Sequence, residues 1–309
     1  MSTAFFSHPI CVQHEPGPGH PESPDRLKTV YARLETEPFS ALIRMNAEAV
    51  EPDIIECTHS PDYVETLLAA VPEEGYRALD PDTFLSPASG EAALRSAGGV
   101  CQAIDLVISG DVENVFCALR PPGHHAEYDR AMGFCLFNNV AIGAKQAQLK
   151  YGIDRVAVID FDVHHGNGTQ HMFEEDASLF YGSSHQFPAY PGTGAASETG
   201  VGNICNVPLA PGAGSIEFRN AYTESILPAL RAFNPDLLLI SAGFDAHFKD
   251  PLCQLNVETE DFEWITRELL QVADECCDGR VVSTLEGGYE LQALSDSVAV
   301  HVLTLLKVA

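Results

Sequence analysis

The most constraining feature of this chain is a set of short apolar runs that do not alternate. "NVFCAL" (114–119), "RVAVIDFD" (155–162) and "DLLLISAG" (236–243) are apolar at consecutive positions, and "RVVSTLEGG" (280–288) reads as a further strand. An alternating strand has one buried face, whereas a continuous apolar strand is buried on both, as in a parallel sheet between helical layers. "SLFYGSS" (178–184) reads as another strand and "NICNVPL" (203–209) as a weaker one. Helical patterns fall between them: 138–152, closed by Gly152; 215–233, with Ser215 as N-cap; 259–276, with Thr259 as cap; and a terminal helix opening at "LQALSDSV". The rhythm predicts one α/β domain over residues 1–309, a mainly parallel central sheet flanked by helices. In such sheets ligands sit beyond the carboxyl ends of the strands.

Composition narrows the function. Forty-four acidic against 17 basic residues give a net charge of −27, which repels nucleic acid and attracts cationic partners. No apolar run approaches a membrane span, and "MSTAFFSHPICVQHEPGPGH" has no signal-peptide pattern. Nine cysteines, an odd number without C-x-x-C spacing, argue against a disulfide framework and fit a reducing cytoplasm, with a bacterial one expected.

Four strands end in unusual chemistry. "NVFCALRPPGHHAE" brings His124 and His125; "RVAVIDFDVHHGNG" brings Asp160, Asp162, His164 and His165; "DLLLISAGFDAH" brings Asp245 and His247; "RVVSTLEGGYE" brings Glu286 and Tyr289. Alternation along an extended strand lets Asp160, Asp162 and His164 share one side. A carboxylate and an imidazole at i and i+2 can converge on one metal, with Asp245 as third ligand and positions left open for water and substrate. Zinc suits this set, with iron, cobalt or manganese as competitors. His124 and His125 suit general acid/base work, with Asp160 and Asn167 as candidates to orient them. The Tyr289 hydroxyl suits an oxyanion donor. His165 and His247 alone are as readily structural.

These residues lie in "RPPGHHAEYDRAMGFCLFNNVAIGA", "DFDVHHGNGTQ", "YPGTG", "SAGFDAHFKDPL" and "LEGGY", which resemble the zinc-dependent deacetylase family of histone deacetylases, acetylpolyamine amidohydrolases and acetoin-utilisation proteins, with wording similar to the class II branch. The resemblance runs from "HPESPDRL" (20–27) to "EGGYE" and implies the arginase–deacetylase fold. It implies one zinc per chain on Asp162, His164 and Asp245, His125 as base and then acid, and His124 as its electrostatic partner. It also implies that Asp160 holds His124, Asn167 holds His125, and Tyr289 stabilises the oxyanion. Asparagine at 167 follows the class II pattern; class I carries aspartate there. Phe134 and Tyr190 match the aromatic walls of an acyl-lysine tunnel, where tyrosine at 190 departs from the usual phenylalanine. Gly133 and Leu252 match further lining, and Arg26 matches a residue linked with product acetate. Potassium is implied at Asp160, Asp162, His164, Ser183 and Ser184, and a second cation near Phe173, Asp176 and Leu179.

Two substrates compete: acyl-lysine in a protein or peptide, and a small acylated amine such as an acetylpolyamine. Both place cations around a neutral amide, and self-association is compatible with either. Acetylpolyamine enzymes tend to carry an added entrance loop, whereas "VPEEGYRALDPDTFLSPASGE" is short, which favours the first. Either Asp80 or Asp82 in this loop is expected to bind substrate backbone or amine, and the sequence does not choose between them. An arginase-like two-manganese site would need further metal aspartates that "DVHHG" and "GFDAH" lack. A binding protein with a degenerate site would have lost a ligand, a catalytic histidine or the tyrosine, and none is missing.

Overall fold

The computed structural model describes residues 2–307. Ten strands occur in chain order: β1 (Thr3–Ser7), β2 (Ile43–Asn46), β3 (Arg77–Ala78), β4 (Phe84–Leu85), β5 (Asn114–Cys117), β6 (Val156–Asp160), β7 (Leu179–Gln186), β8 (Ile204–Leu209), β9 (Leu237–Ala242) and β10 (Val281–Leu285). Eight form one sheet in the order β2-β1-β5-β10-β9-β6-β7-β8, with every pairing parallel. β3 and β4 pair separately as a short antiparallel hairpin.

Strands β5, β6, β9 and β10 are buried at every residue, as the apolar runs of β5, β6 and β9 require. These four are neighbours. Their carboxyl ends therefore open on one side of the sheet, and the polar residues that follow them meet there. The edge strand β2 is mostly exposed, and β8 is only partly covered.

Each long helix has an identifiable start or stop. Helix Asn139–Tyr151 begins where the Asn138 side chain accepts the Ala141 N–H at 3.1 Å, a cap worth about 1 kcal/mol. It ends at Gly152 with φ 66, a left-handed position suited to glycine. Helix Ser89–Ser109 ends the same way at Gly110, φ 78. Across the sheet, the Phe161, Phe244 and Phe262 rings pack against one another and close the core beneath helices Thr259–Cys276 and Leu291–Leu305. Truncating one such ring would cost roughly 3–5 kcal/mol.

Three local expectations need correction. Ser215 and Thr259 are first helical residues; the caps are Gly214 and Glu258. Both hydroxyls are diverted to tertiary partners. Ser215 donates to the Asp261 carboxylate, and Thr259 lies 3.2 Å from His247 Nε2. The expected helix 215–233 is interrupted by a π-helical turn at Tyr222–Ile226 before Leu227–Phe233. All nine cysteines are free.

Candidate active site

The chain leaves β6 at Asp160 and turns, so that Asp162 and His164 follow within one tight loop. Asp160 directs this turn: its Oδ1 accepts the Asp162 N–H at 3.1 Å. Asp162 repeats the device on the His164 N–H at 2.9 Å. From the end of β9, Asp245 reaches across and accepts the Val163 N–H at 2.8 Å. His164 Nδ1 then lies 3.1 Å from both Asp162 Oδ1 and Asp245 Oδ2. One ligand atom from each of the three falls within 4.8 Å of the others.

This trio fits a metal ion on the structure's own terms. One imidazole nitrogen and two carboxylates are a donor set that zinc accepts. All three residues are buried, at 8 % exposure or less. Burial and the like charge of Asp162 push the Asp245 carboxyl up to about 7, the mark of an acidic pair short of a countercharge. The backbone also makes room: a β-carbon at Gly287 would stand 2.1 Å from Asp245 Oδ2, and one at Gly243 would stand 2.1 Å from Asp162 Oδ2. The Gly287 N–H donates to Asp162 Oδ2 at 2.8 Å and fixes the carboxylate.

The histidine pair enters from β5. Glu286, at the end of β10, accepts the backbone N–H of Gly123 at 2.7 Å and of His124 at 3.3 Å, and so holds the turn in place. His124 Nδ1 donates to Asp160 Oδ2 at 2.9 Å, and His125 Nδ1 donates to Asn167 Oδ1 at 2.8 Å. The two imidazoles differ sharply. Burial opposes charge on His124, but the Asp160 and Asp162 carboxylates outweigh it and lift the group to about 10. His125 is held well below its ordinary value by burial and by positive charge on His124 and His164. One is a fixed cation beside the trio; the other is a neutral imidazole whose Nε2 is free to accept a proton.

A cavity of about 210 Å³ leads to the trio, lined by Asp82, His125, Gly133, Phe134, His164, Tyr190, Leu252 and Tyr289. The Tyr190 ring stands edge-on to His125 at 5.1 Å, and the Phe134 ring edge-on to Tyr289 at 5.9 Å. Gly133 is required here: its φ is +55, and a β-carbon would meet the His125 ring at 2.4 Å. Phe134 also adopts a left-handed φ of 68, rare for a bulky residue, with its N–H held by Thr83 Oγ1 at 3.1 Å. Burial keeps the Tyr289 hydroxyl protonated far above its ordinary value, and among the described residues it has no hydrogen-bond partner.

The remaining expected residues fall into distinct places. Arg26 is fully buried, with its guanidinium 4.9 Å from the Tyr289 ring centre. Three of its donors are engaged: Nε with the Gly288 carbonyl at 2.6 Å, Nη1 with Glu22 at 2.8 Å, and Nη2 with the Glu286 carbonyl. Asp82 lines the cavity mouth, whereas Asp80 folds back on the Asp82 and Thr83 N–H groups of its own hairpin. Ser183 is the register partner of Asp160, and the Ser184 hydroxyl donates to Tyr222. The carbonyls of Phe173, Asp176 and Leu179 converge, and the Asn203 amide nitrogen donates among them at 2.7–3.0 Å. His165 and His247 lie outside the cavity. His165 is spanned between Thr193 and Gln170, and His247 faces Thr259.

Sequence reasoning passed over several supporting groups. Glu22 is buried between Arg26 and Arg120 and pairs with both. Its i, i+4 spacing to Arg26 in "ESPDR" was a usable signal. Asp250 accepts the Tyr289 N–H at 2.7 Å and so anchors the tyrosine loop. No sequence pattern marks that contact.

The histone deacetylase domain model matches residues 20–305. The chain belongs to the histone deacetylase family. Other proteins are similar to this one along most of its length. A protein of Synechocystis described only as uncharacterized is 42% identical, over 93% of this chain and 94% of its own length. A probable deacetylase of Archaeoglobus fulgidus is 37% identical, over 94% of this chain and 82% of its own. Among solved structures, the crystal structure of the HDA15 HD domain superposes with a TM-score of 0.93 at 36% identity, covering 98% of this chain and 88% of that one.

Proposed function

We propose that this deacetylase-family chain is a zinc-dependent amidohydrolase that removes acyl groups from lysine side chains in proteins or peptides. The observation that carries this reading is the cavity. Phe134, Tyr190 and Leu252 line an apolar passage that ends on His125, His164 and Tyr289. A neutral, slender alkyl amide fits such a passage, and a charged amine does not. Zinc on Asp162, His164 and Asp245 would supply Lewis-acid polarisation of the amide carbonyl and acidification of water. Potassium at the Asp160 and Ser183 strand ends, and a second cation near Phe173, Asp176 and Leu179, belong to the same proposal.

The chain's own groups divide the proton work. His125, neutral and with its Nδ1–H fixed on Asn167, takes a proton from water at Nε2. The water oxygen bonds to the carbonyl carbon. The Tyr289 hydroxyl, protonated and without a partner among the described residues, donates to the oxygen that gains charge. His124 keeps its proton on Asp160 and offers a fixed positive charge. The carbon–nitrogen bond then breaks as His125 returns its proton to the leaving amine. Acetate and a free amine result.

The test is turnover of zinc-loaded protein on an acetyl-lysine peptide and on N-acetylputrescine, each with and without a hydroxamate chelator. Chelator-sensitive acetate release from the peptide supports the reading. Strong preference for N-acetylputrescine moves the substrate to small amines, and release from neither overturns it.

A further inference from the structure

Asn167 is an ambiguous partner for a catalytic base. A carboxylate accepts through either oxygen, but an amide accepts on one side and donates on the other. If the amide turned over, its NH₂ would face His125 Nδ1. The imidazole proton would then move to Nε2, and the ring could no longer take a proton from water.

The surroundings of Asn167 settle which side faces His125. Its Nδ2 sits against Glu127 Oε1 in a close contact, 3.2 Å from the His125 carbonyl and 3.5 Å from Met132 Sδ. Three acceptors surround the nitrogen, so only Oδ1 is left for His125. Glu127 is the one charged acceptor among them. It is held in turn by His171, whose Nδ1 lies 2.9 Å from both carboxylate oxygens. Glu127 is largely covered, with 12% of its side chain exposed, whereas His171 faces solvent.

We propose that Glu127 is a positioning residue: through the Asn167 amide it fixes the tautomer in which His125 acts as base. Glu127 touches neither the trio nor the cavity. Its effect passes through one amide, and the negative charge that an aspartate at 167 would bring stands one residue further out. This inference rests on reading His125 as the base.

Four zinc-loaded variants test it: Glu127→Ala, Glu127→Gln, Asn167→Asp, and Glu127→Ala with Asn167→Asp. Two readouts are taken, kcat and KM on the acetyl-lysine peptide and the ¹⁵N resonances of the His125 ring. Glu127→Ala should lower kcat at least about tenfold with KM little changed, part of the ~10²–10⁴ that a positioned base supplies. Its ring nitrogens should show loss of the pure Nδ1–H form. Glu127→Gln keeps an acceptor and should restore both. Asn167→Asp alone sets two carboxylates in contact and should also be impaired. Combining it with Glu127→Ala should recover both readouts, because a carboxylate needs no orienting. A pair of singly harmful changes that repair each other cannot come from general destabilisation. An unaltered tautomer in Glu127→Ala, or a double variant worse than either single, overturns the proposal. If the unsubstituted protein releases no acetate, the deacylase reading fails, and the nitrogen resonances still decide the role of Glu127.

Discussion

Gly287 lies so close to Asp245 that a β-carbon on it would stand 2.1 Å from Oδ2, and 2.5 Å from Asp162 Oδ2. The backbone of one strand end thus forms the wall of the carboxylate pair on two others. Gly287→Ala must displace one or both carboxylates. Zinc affinity should fall by at least ~10-fold, the scale on which groups supporting metal ligands act, with the circular dichroism spectrum unchanged. Zinc titration with a competing chelator measures it, and wild-type affinity would remove the trio from the metal's reach.

His125 is placed to move protons and is not one of the trio. His125→Ala should therefore keep full metal content while kcat falls by ~10²–10⁴. Metal analysis beside steady-state kinetics separates the two roles. Loss of zinc in this variant would mean that the imidazole is a ligand.

Tyr289 has a hydroxyl with no hydrogen-bond partner among the described residues, yet its ring is gripped by Arg26 and its backbone by Asp250. Tyr289→Phe leaves those supports in place and removes only the donor. The expected loss in kcat is ~10²–10³, with metal content and melting temperature near wild type. A loss of less than threefold would assign the oxyanion to another group.

Zinc should stabilise this protein more at pH 7.5 than at pH 5.5. Asp245 is raised to about 7 by burial and by Asp162, and Glu286 is raised to about 7 by burial. Both therefore hold protons in the fold that the unfolded chain has released at about 4. Their contribution to stability is full below that value and is lost as pH rises through about 7. Zinc must displace the Asp245 proton, so its effect grows over the same window. At Asp162, burial is outweighed by His124 and His164, and this group does not titrate there. Melting temperatures of chelated and zinc-loaded protein at the two pH values test this; equal shifts at both would contradict it.

The sequence was most legible where one property repeats along a strand. Apolar runs mark β5, β6 and β9 because strands covered on both faces favour apolar side chains at successive positions. β1 and β2 escaped notice. β2, "IRMN", is exposed at the sheet edge and carries no burial signal, whereas β1, "TAFFS", is buried at four of its five residues and was legible in principle. Helix caps were misplaced by one residue at Ser215 and Thr259, since local pattern cannot know that a hydroxyl has a better partner elsewhere.

The sequence by itself determined the chemistry at four strand ends, and that a parallel sheet would set such ends side by side. The order of the strands, which makes β5, β10, β9 and β6 neighbours, belongs to the tertiary structure. So do the groups that tune the site. Glu286 under His124, Asp250 behind Tyr289, Glu22 against Arg120 and Glu127 behind Asn167 are far from their partners in sequence or carry no periodic mark. Periodicity reports which face of an element is buried. Only packing decides which buried polar groups meet, because each must find a partner, and the fold alone says which are within reach.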